Sequence, residues 1–328
     1  MNTPVKLGGF GALLVAVLAV SFGIGNIVGP VGQDTETHSS GHGSTDSAND
    51  GAAMPEGHEM EAAPSSDSIP GGLMVSQSGY TLDLATPVAA PGTTAVEFRI
   101  TRPDNTALTE FDTQHDKKLH LIAIRRDTTG FQHVHPVMAD DGTWTTDLAL
   151  VPGDWRLFAD FKPTGADNGI TLGTDAHVAG AYDPEPLPAE SRTAEVDGYT
   201  VTLAGDLDPG GSSELTLSVA KDGAPVTDLQ PYLGAYGHLV AIRNGDLAYL
   251  HVHPDGEPGD GTTEPGPEVT FFATVPSGGW YRLFLDFKHD GVVRTAEFTV
   301  PAEQAEPASE PAPGAAATTT APYGHSGH

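Results

Sequence analysis

The chain has no cysteine among its 328 residues. That excludes disulfides, thiolate zinc sites, iron–sulfur clusters and cysteine nucleophiles. Basic residues are scarce as well: Lys and Arg number 15 against 44 Asp and Glu, a formal charge of −29. A chain this acidic is not drawn to nucleic acid or to an anionic lipid surface, and cationic partners, metal ions among them, suit it better. No convincing helical period runs between residues 73 and 301. Also missing are a Gly-x-Ser-x-Gly elbow, a phosphate-binding glycine loop and a His-Glu-x-x-His pair, so the sequence carries no recognisable catalytic apparatus. What is plentiful is Gly (40) and Pro (27), together with 14 His. The first two suit a β-rich protein with many turns and some disordered linker. The histidines, nearly as many as all Lys and Arg together, point to chemistry.

Residues 7–28 form a run of 22 whose only polar side chains are Ser21 and Asn26. At about 1.5 Å per residue such a run can span a bilayer. It reads as an uncleaved signal anchor or as a cleaved signal peptide, within a segment 1–30, with Lys6 on the inner side and the rest exported. The following stretch, 31–72, has eight acids and no Lys or Arg, and 302–328 is rich in Ala, Pro and Thr. Neither can bury enough apolar surface to offset its ordering entropy, so both read as disordered.

Between these tails the chain repeats itself. HLIAIR at 120–125 recurs as HLVAIR at 238–243, and across 120–136 and 238–254 nine of seventeen positions are identical without a gap. WRLFADFK at 155–162 recurs as YRLFLDFK at 281–288, six of eight identical. This is a tandem duplication of one domain, repeat A at 73–185 and repeat B at 190–301, joined by a stiff Pro-rich linker. Val96, Phe98 and Ile100 alternate with polar residues, as do Leu215, Leu217 and Val219, which argues for half-buried strands. Turn signals recur at Pro91-Gly92, Asp141-Gly142, Pro152-Gly153, Asp222-Gly223 and Asn244-Gly245. The expected fold is all-β: two tandem β-sandwiches, immunoglobulin-like or cupredoxin-like.

Asn244-Gly245 reads as a two-residue type I′ hairpin turn. In that register Arg243 faces Asp246, Ile242 faces Leu247, Val240 faces Tyr249 and His238 faces His251. The side-chain period of two then puts His253 on the face of His251. The same spacing gathers His120, His133 and His135 in repeat A. Three neutral imidazoles on one patch of rigid sheet can hold copper or zinc, with water or a carboxylate such as Asp160 or Asp286 in a fourth position. The opposing reading is a buried histidine cluster that shapes the hairpin, since Ile122, Phe131, Val240 and Tyr249 make the shared face largely apolar. Arg125, Arg243, Arg156, Arg282, Asp160 and Asp286 read as strand-to-strand ion pairs. In the tails His38, His42, His58, His325 and His328, with Met54 and Met60, suit auxiliary metal capture, the thioethers favouring Cu(I). The acidic loop at 255–261 resembles a calcium loop in composition only, because the EF-hand spacing is absent.

The His-Val-His of FQHVHP at 131–136 resembles the copper-ligand segment of Cu/Zn superoxide dismutase over a few residues. That family's disulfide is impossible without Cys, and its bridging-His segment is missing here. More broadly, with its paired His-x-His-Pro motifs, the chain resembles exported or membrane-anchored actinobacterial proteins with tandem β-domains of this kind. The resemblance covers 73–301 and implies heavy-metal or copper handling. Three functions follow: a metal buffer, scavenger or donor held outside the cell membrane, with a metal transporter or chaperone as partner; a non-catalytic structural or protein-interaction module; and an oxidoreductase with a three-His copper centre.

Overall fold

A computed structural model describes residues 69–250 and 252–303. All of them fall within one compact unit, Met60–His328, and none is helical. The expectations placed on 1–30, on the tail residues His38, His42, Met54, His58, Met60, His325 and His328, and on His251 lie outside the described residues.

Repeat A is a two-layer sandwich. One sheet runs in the order Ser76–Gln77, Tyr80–Leu84, Gly92–Thr101, Trp144–Leu150, Val137–Met138. The other runs Val88–Ala89, Ile170–Val178, Gly153–Pro163, Leu119–Arg125, Gln132–Val134, with Phe111–Asp112 added to Gly153–Pro163. Repeat B repeats the plan. Its first sheet is Thr193–Val196, Tyr199–Ala204, Ser212–Lys221, Glu268–Thr274, Val252–Pro254, and its second is Tyr249–Leu250, His238–Arg243, Gly279–His289, Val292–Ala302. The period-two strands behave as their patterns require: Val96, Phe98 and Ile100 point into the first core, Leu215, Leu217 and Val219 into the second.

Two strands of each repeat break that alternation, and they set up the site. Every residue of Leu119–Arg125 is buried. Leu119, Leu121 and Ala123 face the repeat A core, whereas Ile122 and Ile124 join a separate cluster with Phe158, Val240, Ile242, Leu247, Tyr249 and Phe284. Residues from both repeats make up that cluster. The two sandwiches therefore pack through the outer faces of their equivalent sheets. A strand covered on both faces reads as a continuous apolar run rather than an alternating one.

The contacts are reciprocal. Phe131 of repeat A stacks on Phe284 of repeat B, ring centroids 4.0 Å apart, and Tyr249 of repeat B lies 5.6 Å from Phe158 of repeat A. In the repeat alignment Phe131 corresponds to Tyr249 and Phe158 to Phe284, so the pairing has the form of a two-fold axis between unequal halves. A strap at the start of the described chain spans both halves. Gly72 N donates to Thr171 O, Arg156 donates to Gly72 O, and Tyr249 N donates to Gly71 O.

The hairpin register differs from expectation. Ile242 pairs with Tyr249, and Ala241 with Leu250, two residues beyond the predicted pairing of Ile242 with Leu247. The turn is a four-residue loop, 244–247, closed by Arg243 N donating to Ala248 O. Asp246 accepts from Ala248 N and pairs with Arg243, and Leu247 is wholly buried in the inter-repeat cluster. Burying that leucine between the repeats outweighs the local preference of Asn-Gly for a tight turn. Repeat A keeps the matching register, with Ile122 opposite His133. Because the slip is of two residues, the histidines keep their face; a slip of one would have reversed it.

Candidate metal centre

Leu119–Arg125 carries His120, Gln132–Val134 carries His133, and His135 follows immediately, where the chain leaves one sheet to cross to the other at Pro136. One ligand atom from each of His120, His133 and His135 lies within 4.8 Å of the others. His120 Nδ1 and His133 Nε2 are 3.0 Å apart. In a tetrahedral zinc site with 2.0–2.1 Å bonds, neighbouring nitrogens sit about 3.3 Å apart.

Hydrogen bonds fix the outward nitrogens. His120 Nε2 donates to the carbonyl of Gln114, 3.1 Å away. His133 Nδ1 donates to Asp286 Oδ2 of repeat B at 2.8 Å. Both acceptors lack a proton of their own, so the N–H positions follow from the chemistry. Burial, with His133 beside it, pushes His120 down to about 4. Burial likewise pushes His135 down to about 3. His135 Nε2 is buried and makes no hydrogen bond. A buried polar atom left unsatisfied costs about 1–3 kcal/mol. The fit to a divalent ion is therefore close: an unpartnered nitrogen, a second nitrogen pair at coordination spacing, and far N–H groups held by a carboxylate and a carbonyl as metal-bound imidazoles require.

Repeat B does not build a separate copy of this patch with the residues described. His238 lies against the repeat A histidines, its ring 5.4 Å from His120 and nearly parallel to it, and 4.8 Å from His133. Burial holds it far below the ordinary imidazole range. His253 sits in Val252–Pro254, which pairs with Glu268–Thr274 in the other sheet, His253 opposite Phe272 and exposed. The expected patch of His238, His251 and His253 assumed one unbroken hairpin. In repeat B the chain pairs in the other sheet from Val252, ahead of His253, and among the described residues the hairpin ladder runs to Leu250.

Sequence reasoning missed two neighbours of the site. His115 projects from the turn 114–117, where His115 and Asp116 both have positive φ, and its ring lies 5.4 Å from His238. Its counterpart in repeat B is Leu233, so comparing the repeats discards it. Tyr232 lies 6.4 Å from His135, and burial pushes its hydroxyl up to about 12. The expected strand-to-strand ion pairs occur for Arg156 with Asp175 and Arg282 with Glu297, whereas Arg125 and Arg243 pair with Asp127 and Asp246 in the turns that follow their own strands. Asp160 and Asp286 take no part in them; each faces the opposite repeat.

Fold and site together describe a tandem β-sandwich protein with a histidine cluster at the seam of its repeats. A family model described as "Domain of unknown function (DUF8832)" matches residues 75–178 and 194–304, and the chain belongs to that family in two copies. No curated protein matches the chain. Among solved structures it is similar to a mutant alpha-2-macroglobulin of Salmonella, 15% identical with a TM-score of 0.24 over 74% of this chain and 16% of that one. It therefore spans under a fifth of that structure's length. It is also similar to fibronectin(III)-like modules of Clostridium thermocellum CbhA, 11% identical with a TM-score of 0.18, over 68% of this chain and 95% of that one. A chimeric titin Z1Z2 is 12% identical, with a TM-score of 0.17 over 70% of this chain and 100% of that one.

Proposed function

We propose that this chain binds a transition-metal ion, copper or zinc, through His120, His133 and His135. In this reading it works outside the cytoplasm, tethered by residues 7–28, as a buffer, scavenger or donor for a membrane transporter or chaperone. The observation that carries the reading is His135 Nε2, buried without a partner beside two imidazoles at coordination spacing. Nitrogen donors without thiolate suit copper and zinc, and the ion would supply the missing partner. Auxiliary capture by the His- and Met-containing tails would raise its local concentration. Strand order supports the immunoglobulin-like choice of topology, with a short strand running parallel to the last strand of repeat A, Val88 opposite His177.

The alternative, a structural or protein-interaction module, draws on the depth of the cluster and the close ring contact of His120 with His238. Metal analysis of the purified full chain separates the two. The metal reading expects stoichiometric copper or zinc, lost on replacing His133 and His135 with alanine while a metal-free melt still shows a folded protein. Equal metal content in wild type and variant, or none in either, sinks it.

A further inference from the structure

We infer that the centre is composite: Asp286 of repeat B is the positioning residue for His133 of repeat A. The inference rests on the metal-binding reading above and assigns the second repeat its part in it.

The two repeats present equivalent aspartates to one another. Asp160 pairs across the ladder with Thr171 and accepts its hydroxyl at 3.1 Å; Asp286 pairs with Thr295 and accepts its hydroxyl at 2.6 Å. Each aspartate is therefore oriented by its own sheet and reaches across the seam. Asp286 gives its second oxygen to His133 Nδ1 of repeat A at 2.8 Å. Both side chains of that pair are buried, so the contact across the seam is shielded from water.

The consequence is chemical. A carboxylate on the far N–H of a metal-bound imidazole fixes its tautomer and orientation and strengthens it as a donor, and losing such a partner costs 10–100-fold in metal affinity. Here that carboxylate belongs to the other repeat. The donors His120, His133 and His135 all come from repeat A, so one chain of two repeats holds one such centre among its described residues, and repeat A without repeat B lacks the orienting group.

The test uses the full chain and three variants: Asp286→Asn, Tyr249→Phe and His133→Ala. Zinc affinity is measured by competition with a chromophoric chelator, and the ligand field by the visible bands of the cobalt(II)-loaded protein. Asp286→Asn should weaken zinc 10–100-fold and change the cobalt spectrum, while its metal-free melt confirms a folded chain. Tyr249→Phe should leave both readouts unchanged. If His133→Ala abolishes tight binding while Asp286→Asn binds within twofold of wild type with the wild-type cobalt spectrum, the composite centre is overturned and the metal reading stands. If His133→Ala binds as wild type does, the metal reading falls and takes this inference with it.

Discussion

His120 and His238 occupy the same position in the two repeats, and their rings lie parallel across the seam, 5.4 Å apart at 5°. Equivalent residues meet in this way only near an axis that exchanges the halves. A tandem duplication that folds back on itself so resembles a two-fold dimer, whose interface is one patch used twice. Its apolar part is substantial: Ile122, Ile124, Phe158, Val240, Ile242, Leu247 and Phe284 are all essentially inaccessible.

Phe284→Ala should therefore cost about 3–5 kcal/mol, the range for removing a buried aromatic from a packed core. Phe284 stacks on Phe131 and carries the guanidinium of Arg282 over its ring. Urea unfolding of the metal-free chain measures this. A loss below about 1 kcal/mol would mean that the two sandwiches gain little from each other.

The strap should be intolerant of any side chain at Gly72. Its φ is 73°, and an added Cβ would stand 2.4 Å from Cδ1 of Phe158. Gly165→Ala is the control, with φ 84° and open space around it. Both substitutions carry the backbone penalty, of about 1 kcal/mol. Gly72→Ala should exceed it by a further 1–3 kcal/mol or so, because the ring it meets is itself fixed between the repeats. Equal melting shifts for the two would show that the strap can lift away without cost.

Acid should weaken the metal-free chain before its carboxylates are neutralised. Unfolded imidazoles take up protons near 6.5, whereas burial holds His120 down to about 4 and His135 to about 3. Between those values the unfolded state binds more protons, so stability rises with pH and is lost as pH falls from about 6.5 towards 4. His120 accounts for a change on the order of 2–3 kcal/mol at 1.36 kcal/mol per pH unit. Urea midpoints at pH 7 and pH 4.5 check this, and His120→Asn should shrink the difference by His120's share while the depressed His135 and His238 keep the remainder. An unchanged slope in that variant would show that His120 is not the group responsible.

Zinc or copper should raise the melting temperature of the full chain, since an ion that binds only the native arrangement stabilises it by mass action. The gain is about 2.7 kcal/mol at a free concentration one hundred times Kd. It should disappear in His135→Ala, which removes the unpartnered nitrogen. A shift that survives this change would place the ion elsewhere, in the tails for example.

Much of this was legible in the residues themselves. The duplication stood in identical strings such as WRLFADFK and YRLFLDFK, and the strands in the alternation of Val96, Phe98 and Ile100, because a strand with one face in a core must alternate. Parity placed His120, His133 and His135 on one face, and it survived an error of register because the error was even. Sequence could not decide the loop at 244–247, where a buried Leu247 overrode the turn preference of Asn244-Gly245. Nor could it show that repeat B lends His238 and Asp286 to the histidines of repeat A. Local pattern fixes which face a side chain takes; which surface covers that face depends on how two finished sandwiches pack. That packing is a sum of long-range contacts, Phe131 on Phe284 and Phe158 against Tyr249, which no spacing along the chain records.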